Sequence, residues 1–132
     1  MEFTTFRLPD HGGDACHLVV VEGGTDIPFE IRRVYSFSGV RSGERRGRHA
    51  HKTLRQVLVC LQGSCRVLLD DGKDSGEFLL SEPTKGLYIG PSVWRELYDF
   101  TPDAVVLVLA DRLYDESDYI RDYAEFQRWC GV

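Results

Sequence analysis

The chain has 132 residues, 42% of them hydrophobic and 28% charged, with a formal net charge of −5. This is ordinary globular composition, enough for one domain over residues 1–132, and it excludes a disordered chain or a basic protein that coats a nucleic-acid polymer. No apolar run approaches the ~18–20 residues of a membrane span, and the start Met1-Glu2-Phe3-Thr4-Thr5-Phe6 lacks the basic and apolar regions of a signal peptide, so Cys16, Cys60, Cys65 and Cys130 are expected as reduced cytoplasmic thiols.

The predicted elements are mostly strands. Cys16–Glu22 reads as a strand that stops at Gly23-Gly24, and Ile31–Ser38 as a second, rich in β-branched and aromatic residues and bounded by Gly39. Gln56–Leu61 and Cys65–Asp70 are apolar runs separated by Gln62-Gly63-Ser64, which predicts a hairpin. Asp70-Asp71-Gly72 is the next turn, with Glu77–Leu80 expected to pair across it. Short strands follow at Gly86–Ile89 and Val93–Tyr98. Ala104–Ala110 is apolar on both faces and therefore expected to be buried. The acidic start Asp115-Glu116-Ser117-Asp118, followed by Ile120, Tyr123 and Ala124 at helical spacing, predicts one C-terminal helix ending near Trp129. Many short strands and one terminal helix imply an all-β barrel or jelly roll, a shape that can hold one small ligand in its mouth.

The charge is unevenly placed. Arg32, Arg33, Arg41, Arg45, Arg46, Arg48, Lys52 and Arg55, half of the basic residues, fall in one stretch whose only acid is Glu44. Such a stretch is either a solvated charge run or a local anion site. It also contains His49 and His51. In a strand, residues two apart share a face, so these imidazoles aim together, roughly 6–7 Å apart along the strand. Two imidazoles on an inward face can ligate a metal or carry protons.

The spacing Gly43, His49, His51, Gln56, Gly63 resembles the first motif of the cupin superfamily. Where metal-binding cupins have a glutamate ligand this chain has Gln56, and where the second motif supplies a histidine it has Glu96. A neutral amide is a poor ligand, so the residual metal set is His49, His51 and Glu96, and no metal or other cofactor is expected. The segments Arg46-Gly47-Arg48-His49-Ala50-His51-Lys52, Gln56 to Ser64, Asp70-Asp71-Gly72, Gly86-Leu87-Tyr88, Pro91 with Trp94, Asp99-Phe100 and Tyr114 to Arg121 are similar, in order, to the dTDP-4-keto-6-deoxyglucose 3,4-ketoisomerases. One departure is Asp14-Ala15-Cys16-His17, where that family commonly carries an Arg-Gly pair.

The resemblance implies a small cupin jelly roll with one short C-terminal helix, and a homodimer that exchanges N-terminal strands. It implies isomerisation of a dTDP-linked keto-deoxyhexose, with His49 and His51 as acid/base groups. Either histidine could take the C3 proton, and His51 is preferred. Arg33 and Tyr35 share a strand face; if it is inward, Arg33 can bind diphosphate and Tyr35 can hydrogen-bond the sugar. Arg46 can grip phosphate or an enediolate oxygen, Gln56 can bind a hydroxyl, and Trp94 can stack on the thymine or the sugar. The alternatives are a dTDP-sugar 3,5-epimerase-like cupin and a non-enzymatic sugar- or metal-binding cupin.

Overall fold

In the computed structural model, which describes residues 2–131, side-chain alternation divides the strands between two walls. The strands are β1 (Phe3–Arg7), β2 (Arg33–Ser38), β3 (Arg46–His51), β4 (Gln56–Gln62), β5 (Cys65–Asp70), β6 (Ser75–Leu80), β7 (Lys85–Ile89), β8 (Trp94–Tyr98), β9 (Val105–Ala110) and β10 (Tyr119–Ile120). One wall has the order β1-β7-β4-β9-β2 and the other β10-β3-β8-β5-β6, with neighbours antiparallel. A single helix, α1 (Tyr123–Trp129), follows, so the expected all-β jelly roll with a short C-terminal helix is what forms.

The core lies between the walls: Leu58, Cys60, Val67, Leu69, Leu87, Ile89, Leu97, Val106 and Val108 all point into it. Each such aliphatic side chain, wholly buried, stabilises by about 1.5–3 kcal/mol relative to exposure. The first wall is also covered outside, where Leu8, Ile27 and Phe29 of the long segment before β2 pack on Val57, Val59 and Leu109. That second layer explains why β4 and β9 are apolar on both faces. A third cluster, Ala50, Trp94, Ile120 and Phe126, lies outside the second wall under α1.

Three expectations change. The two runs around Gly63 are not a hairpin: β4 pairs with β7 and β9, whereas β5 pairs with β6 and β8 in the opposite wall. The chain crosses between walls at Gly63, which has φ of 67°; a Cβ there would also run into the side chains of Thr101 and Asp103. Cys16–Glu22 forms no strand and contributes only an isolated bridge from Val19 to Asp10, while Phe3–Arg7, not foreseen, pairs with β7. The C-terminal helix begins at Tyr123, with Asp122 as its cap accepting from the Glu125 amide. Asp115 instead caps a 3-10 turn at Glu116–Asp118, and the chain then runs through β10 against β3.

Candidate active site

The site is built on β3, and a bulge makes it. Arg46 pairs with Leu97 and Gly47 with Glu96, but His49, rather than Arg48, pairs with Arg95. Paired residues share a face, and Leu97 and Arg95 both face the interior. In a regular strand Arg46 and His49, three apart, would point oppositely; the extra residue brings both inward. Gly47 and Arg48 take up the bulge at φ of 82° and 58°. A Cβ on Gly47 would sit 3.1 Å from the Arg95 carbonyl oxygen.

Beyond the bulge, alternation aims His49 and His51 together as expected. Their Nε2 atoms are 3.1 Å apart and their rings meet edge to face. They are not equivalent. His49 lines the mouth of the barrel, whereas His51 is only 1% exposed and stands behind it. Burial and the positive charge of Arg95 hold His49 down to about 3, and the same causes, with His49 itself, lower His51 further; both rest as neutral imidazoles.

The opposite wall supplies β2. Its burial alternates, and Arg33, Tyr35 and Phe37 face inward, opposite Ala110, Val108 and Val106. Gln56, the first residue of β4, is buried with both ends of its amide engaged. Its Oε1 accepts from the guanidinium of Arg95, and its Nε2 donates to the Tyr35 hydroxyl at 2.8 Å. Arg95 is wholly buried and also donates to the Val93 carbonyl at 3.0 Å; burial lowers it to about 10, so it stays charged at neutral pH. Burial raises the Tyr35 phenol, which keeps its proton.

A cavity of about 420 Å³ opens between the walls, lined by Arg33, Tyr35, Arg46, His49, Tyr119 and Arg121 among others. Arg46 stands at its rim, with its guanidinium 5.9 Å from the Phe37 ring centre. The Arg33 Nε is buried without a partner. The cationic stretch is thus sorted by alternation: Arg33 and Arg46 enter the mouth, while Arg45 turns outward to Glu96.

Of the residues expected at the site, His49, His51, Arg33, Tyr35, Arg46 and Gln56 are brought together, and Trp94 is not. Trp94 points out of the second wall, its ring 5.3 Å from Tyr123 and 5.9 Å from Phe126, and its indole N–H donates to Glu96 at 3.0 Å. Alternation requires this, because Arg95 and Leu97 occupy the inward positions of β8. Glu96 faces outward with Trp94, so the set His49, His51 and Glu96 does not assemble; among the described residues no three His, Cys, Asp or Glu side chains converge to hold a metal.

Sequence reasoning missed three residues. Arg95 was hidden in a short strand. Tyr119, opposite His51 on β10, covers both imidazoles with ring centres 4.9 and 4.3 Å away. Arg121 lies over the Tyr119 ring at 4.2 Å and is paired with Glu116. Reading Tyr119 as helical concealed these last two.

The chain matches the family described as "FdtA: WxcM-like, C-terminal" over residues 1–130. It is 54% identical over 114 residues to the TDP-4-oxo-6-deoxy-alpha-D-glucose-3,4-oxoisomerase of Aneurinibacillus thermoaerophilus, covering 86% of this chain and 82% of that one. It is similar to the 3,4-ketoisomerase QdtA of Thermoanaerobacterium thermosaccharolyticum, solved as a histidine-to-asparagine mutant with TDP-4-keto-6-deoxyglucose, at 43% identity and a TM-score of 0.94 over 98% of this chain and 94% of that one. A 3,4-ketoisomerase from Helicobacter canadensis is 39% identical, with a TM-score of 0.95 over 100% and 99% of the two chains. Among the described residues no helix is long and apolar enough to cross a membrane.

Proposed function

This chain belongs to the FdtA (WxcM-like, C-terminal) family, and on that premise we propose that it moves the ketone of dTDP-4-keto-6-deoxyglucose from C4 to C3. The observation that carries the reading is the pair of neutral imidazoles, Nε2 to Nε2 3.1 Å apart, at the back of a cationic cavity. The reaction needs a base for the C3 proton, which the adjacent carbonyl makes acidic. It then needs a donor of a proton to C4 of the enediol and a path for the hydroxyl proton between O3 and O4. One C–H bond breaks, one forms, and no electrons leave the sugar, so no redox cofactor is required.

His49 is the catalytic base in this reading, in place of the preferred His51, because His49 lines the cavity and His51 lies behind it. A neutral imidazole can accept at C3 and return the proton at C4. Tyr35 accepts from Gln56, so its own O–H is left to donate to a sugar oxygen, where charge develops in the enediolate. Arg33 and Arg46 hold the diphosphate, and Arg121 adds a third cation at the mouth. Gln56 acts through Tyr35 rather than on a hydroxyl.

The enzyme acts in the cytoplasm, as one domain, on a nucleotide-linked sugar and not on nucleic acid. Exchange of N-terminal strands in a homodimer is supported by the position of β1, an edge strand paired with β7 and joined to β2 by a long connection. A monomer by light scattering would remove that part. The activity is tested by NMR with the 4-keto substrate in deuterated water. A 3-keto product with deuterium entering at carbon is expected; exchange at C5 alone would mean epimerisation, and no turnover would end the proposal.

A further inference from the structure

Behind the catalytic pair lies a carboxylate that the mechanism above does not use. Asp118, at the end of the 3-10 turn, places Oδ2 3.3 Å from Nδ1 of His51. That nitrogen is buried and forms no hydrogen bond; the carboxylate approaches it at ion-pair range. The carboxylate cannot swing away. Its Oδ1 accepts from the Thr53 amide at 2.9 Å and the Thr53 hydroxyl at 2.6 Å, and its Oδ2 accepts from the Leu54 amide at 3.2 Å. The Lys52 amide, next along from His51, donates to the Asp118 carbonyl at 2.9 Å, locking the two segments in register.

We propose that Asp118 is a positioning residue for the isomerisation: it holds the proton of His51 on Nδ1, so that His51 Nε2 accepts from Nε2–H of His49. A neutral imidazole has one N–H and one lone pair. The 3.1 Å contact between the two Nε2 atoms needs a hydrogen on one of them and a lone pair on the other. The reverse arrangement would turn the bare lone pair of His51 Nδ1 against a fixed carboxylate inside the protein, where such repulsion is weakly screened. The Asp118 carboxylate therefore decides both tautomers, and His49 is left with its lone pair on Nδ1. When His49 gains a proton, the new imidazolium donates through Nε2 into a chain that ends on a carboxylate. The other groups facing the pair are the ring of Tyr119 from β10 and the cations Arg95, Arg33 and Arg121, with Glu116 beyond. These cations oppose protonation, whereas Asp118 is an anion in contact with His51.

This inference rests on the ketoisomerase reading, and ring NMR separates the two. Protein labelled with ¹⁵N-histidine at pH 7, with His49→Asn and His51→Asn for assignment, is expected to show His51 protonated on Nδ1 and His49 on Nε2. In Asp118→Asn, whose amide can donate to Nδ1, His51 should turn over to the Nε2–H form. Its kcat should fall by about 10²–10⁴-fold, with KM and dTDP binding within about threefold. His51 protonated on Nε2 in the unmodified protein, or unchanged kcat in Asp118→Asn, would each overturn the proposal. If Asp118→Asn does not fold, the rings of the unmodified protein decide. If the unmodified protein turns over no substrate, the ketoisomerase reading fails while the tautomers remain measurable.

Discussion

The side-chain amide of Gln56 donates to the hydroxyl oxygen of Tyr35 at 2.8 Å, and its carbonyl is held by the buried guanidinium of Arg95. This direction fixes where the tyrosine proton can go. An amide whose oxygen is occupied by an arginine can only donate from its nitrogen, so Tyr35 must donate elsewhere, into the cavity. Tyr35→Phe is expected to lower kcat by about 10²–10³-fold, the loss typical of one oxyanion donor. Gln56→Glu should give a comparable loss, because a carboxylate would pair with Arg95 and recapture the tyrosine proton. Steady-state kinetics of the two variants check this, and full activity in Gln56→Glu would show that Tyr35 is not the donor.

The depressed proton affinity of the two histidines links activity and stability to pH. Both lie below the ordinary 6.5 in the folded protein, His49 at about 3, chiefly through burial. The unfolded chain therefore takes up protons first as pH falls. Their contribution is fully present above about pH 7 and is lost as pH falls from 6.5 towards the folded-state value, at about 1.4 kcal/mol per pH unit for each histidine. Urea unfolding at pH 7 and pH 5 should show a larger loss for the unmodified protein than for the His49→Asn, His51→Asn double variant. The acid limb of kcat/KM should lie well below pH 6.5.

Arg46 lines the mouth at its exposed rim. Arg46→Ala should raise KM by roughly 10–100-fold, the loss of one charge-assisted contact, while kcat falls much less. A fall confined to kcat would move Arg46 to the enediolate oxygen instead.

Trp94 is 5% exposed and packs beneath α1. Trp94→Ala should destabilise the protein by about 3–5 kcal/mol, as large-to-small changes in aromatic cores do. Trp94→Phe should keep kcat/KM within about threefold. A rise in KM for Trp94→Phe at unchanged stability would restore a stacking role on the substrate.

Arg48 occupies the left-handed region at φ of 58°, immediately before His49. Holding a non-glycine residue there costs on the order of 1–3 kcal/mol. Arg48→Gly should stabilise by about 1 kcal/mol in denaturant titrations with activity retained, because the strain serves the bulge and not the chemistry. Destabilisation would instead assign the Arg48 side chain a packing role.

The sequence carried much of this architecture because alternation is local. The runs from Arg33 to Ser38 and from Val105 to Ala110 show their period and apolar content directly, and His49 and His51 share a face in any strand. Strand faces, charge and side-chain chemistry pointed to Arg33, Tyr35, Arg46, Gln56 and Trp94 as one site, and the structure gathers all but Trp94 there. What was illegible depended on pairing across the chain. β10 is two residues long, too short to display a period, so Tyr119 and Asp118 passed as the start of a helix although pairing with β3 sets them against His51. The strands flanking Gly63 read as a hairpin because composition marks a turn without saying whether the chain returns to its own wall or crosses to the other. Residue types, strand alternation and a cationic stretch holding two histidines were thus determined by the sequence alone. Which residues of that stretch face inward, which histidine meets the cavity, and which carboxylate stands behind it were decided by the tertiary structure, because a bulge and a two-residue strand acquire their meaning only from the partners across from them.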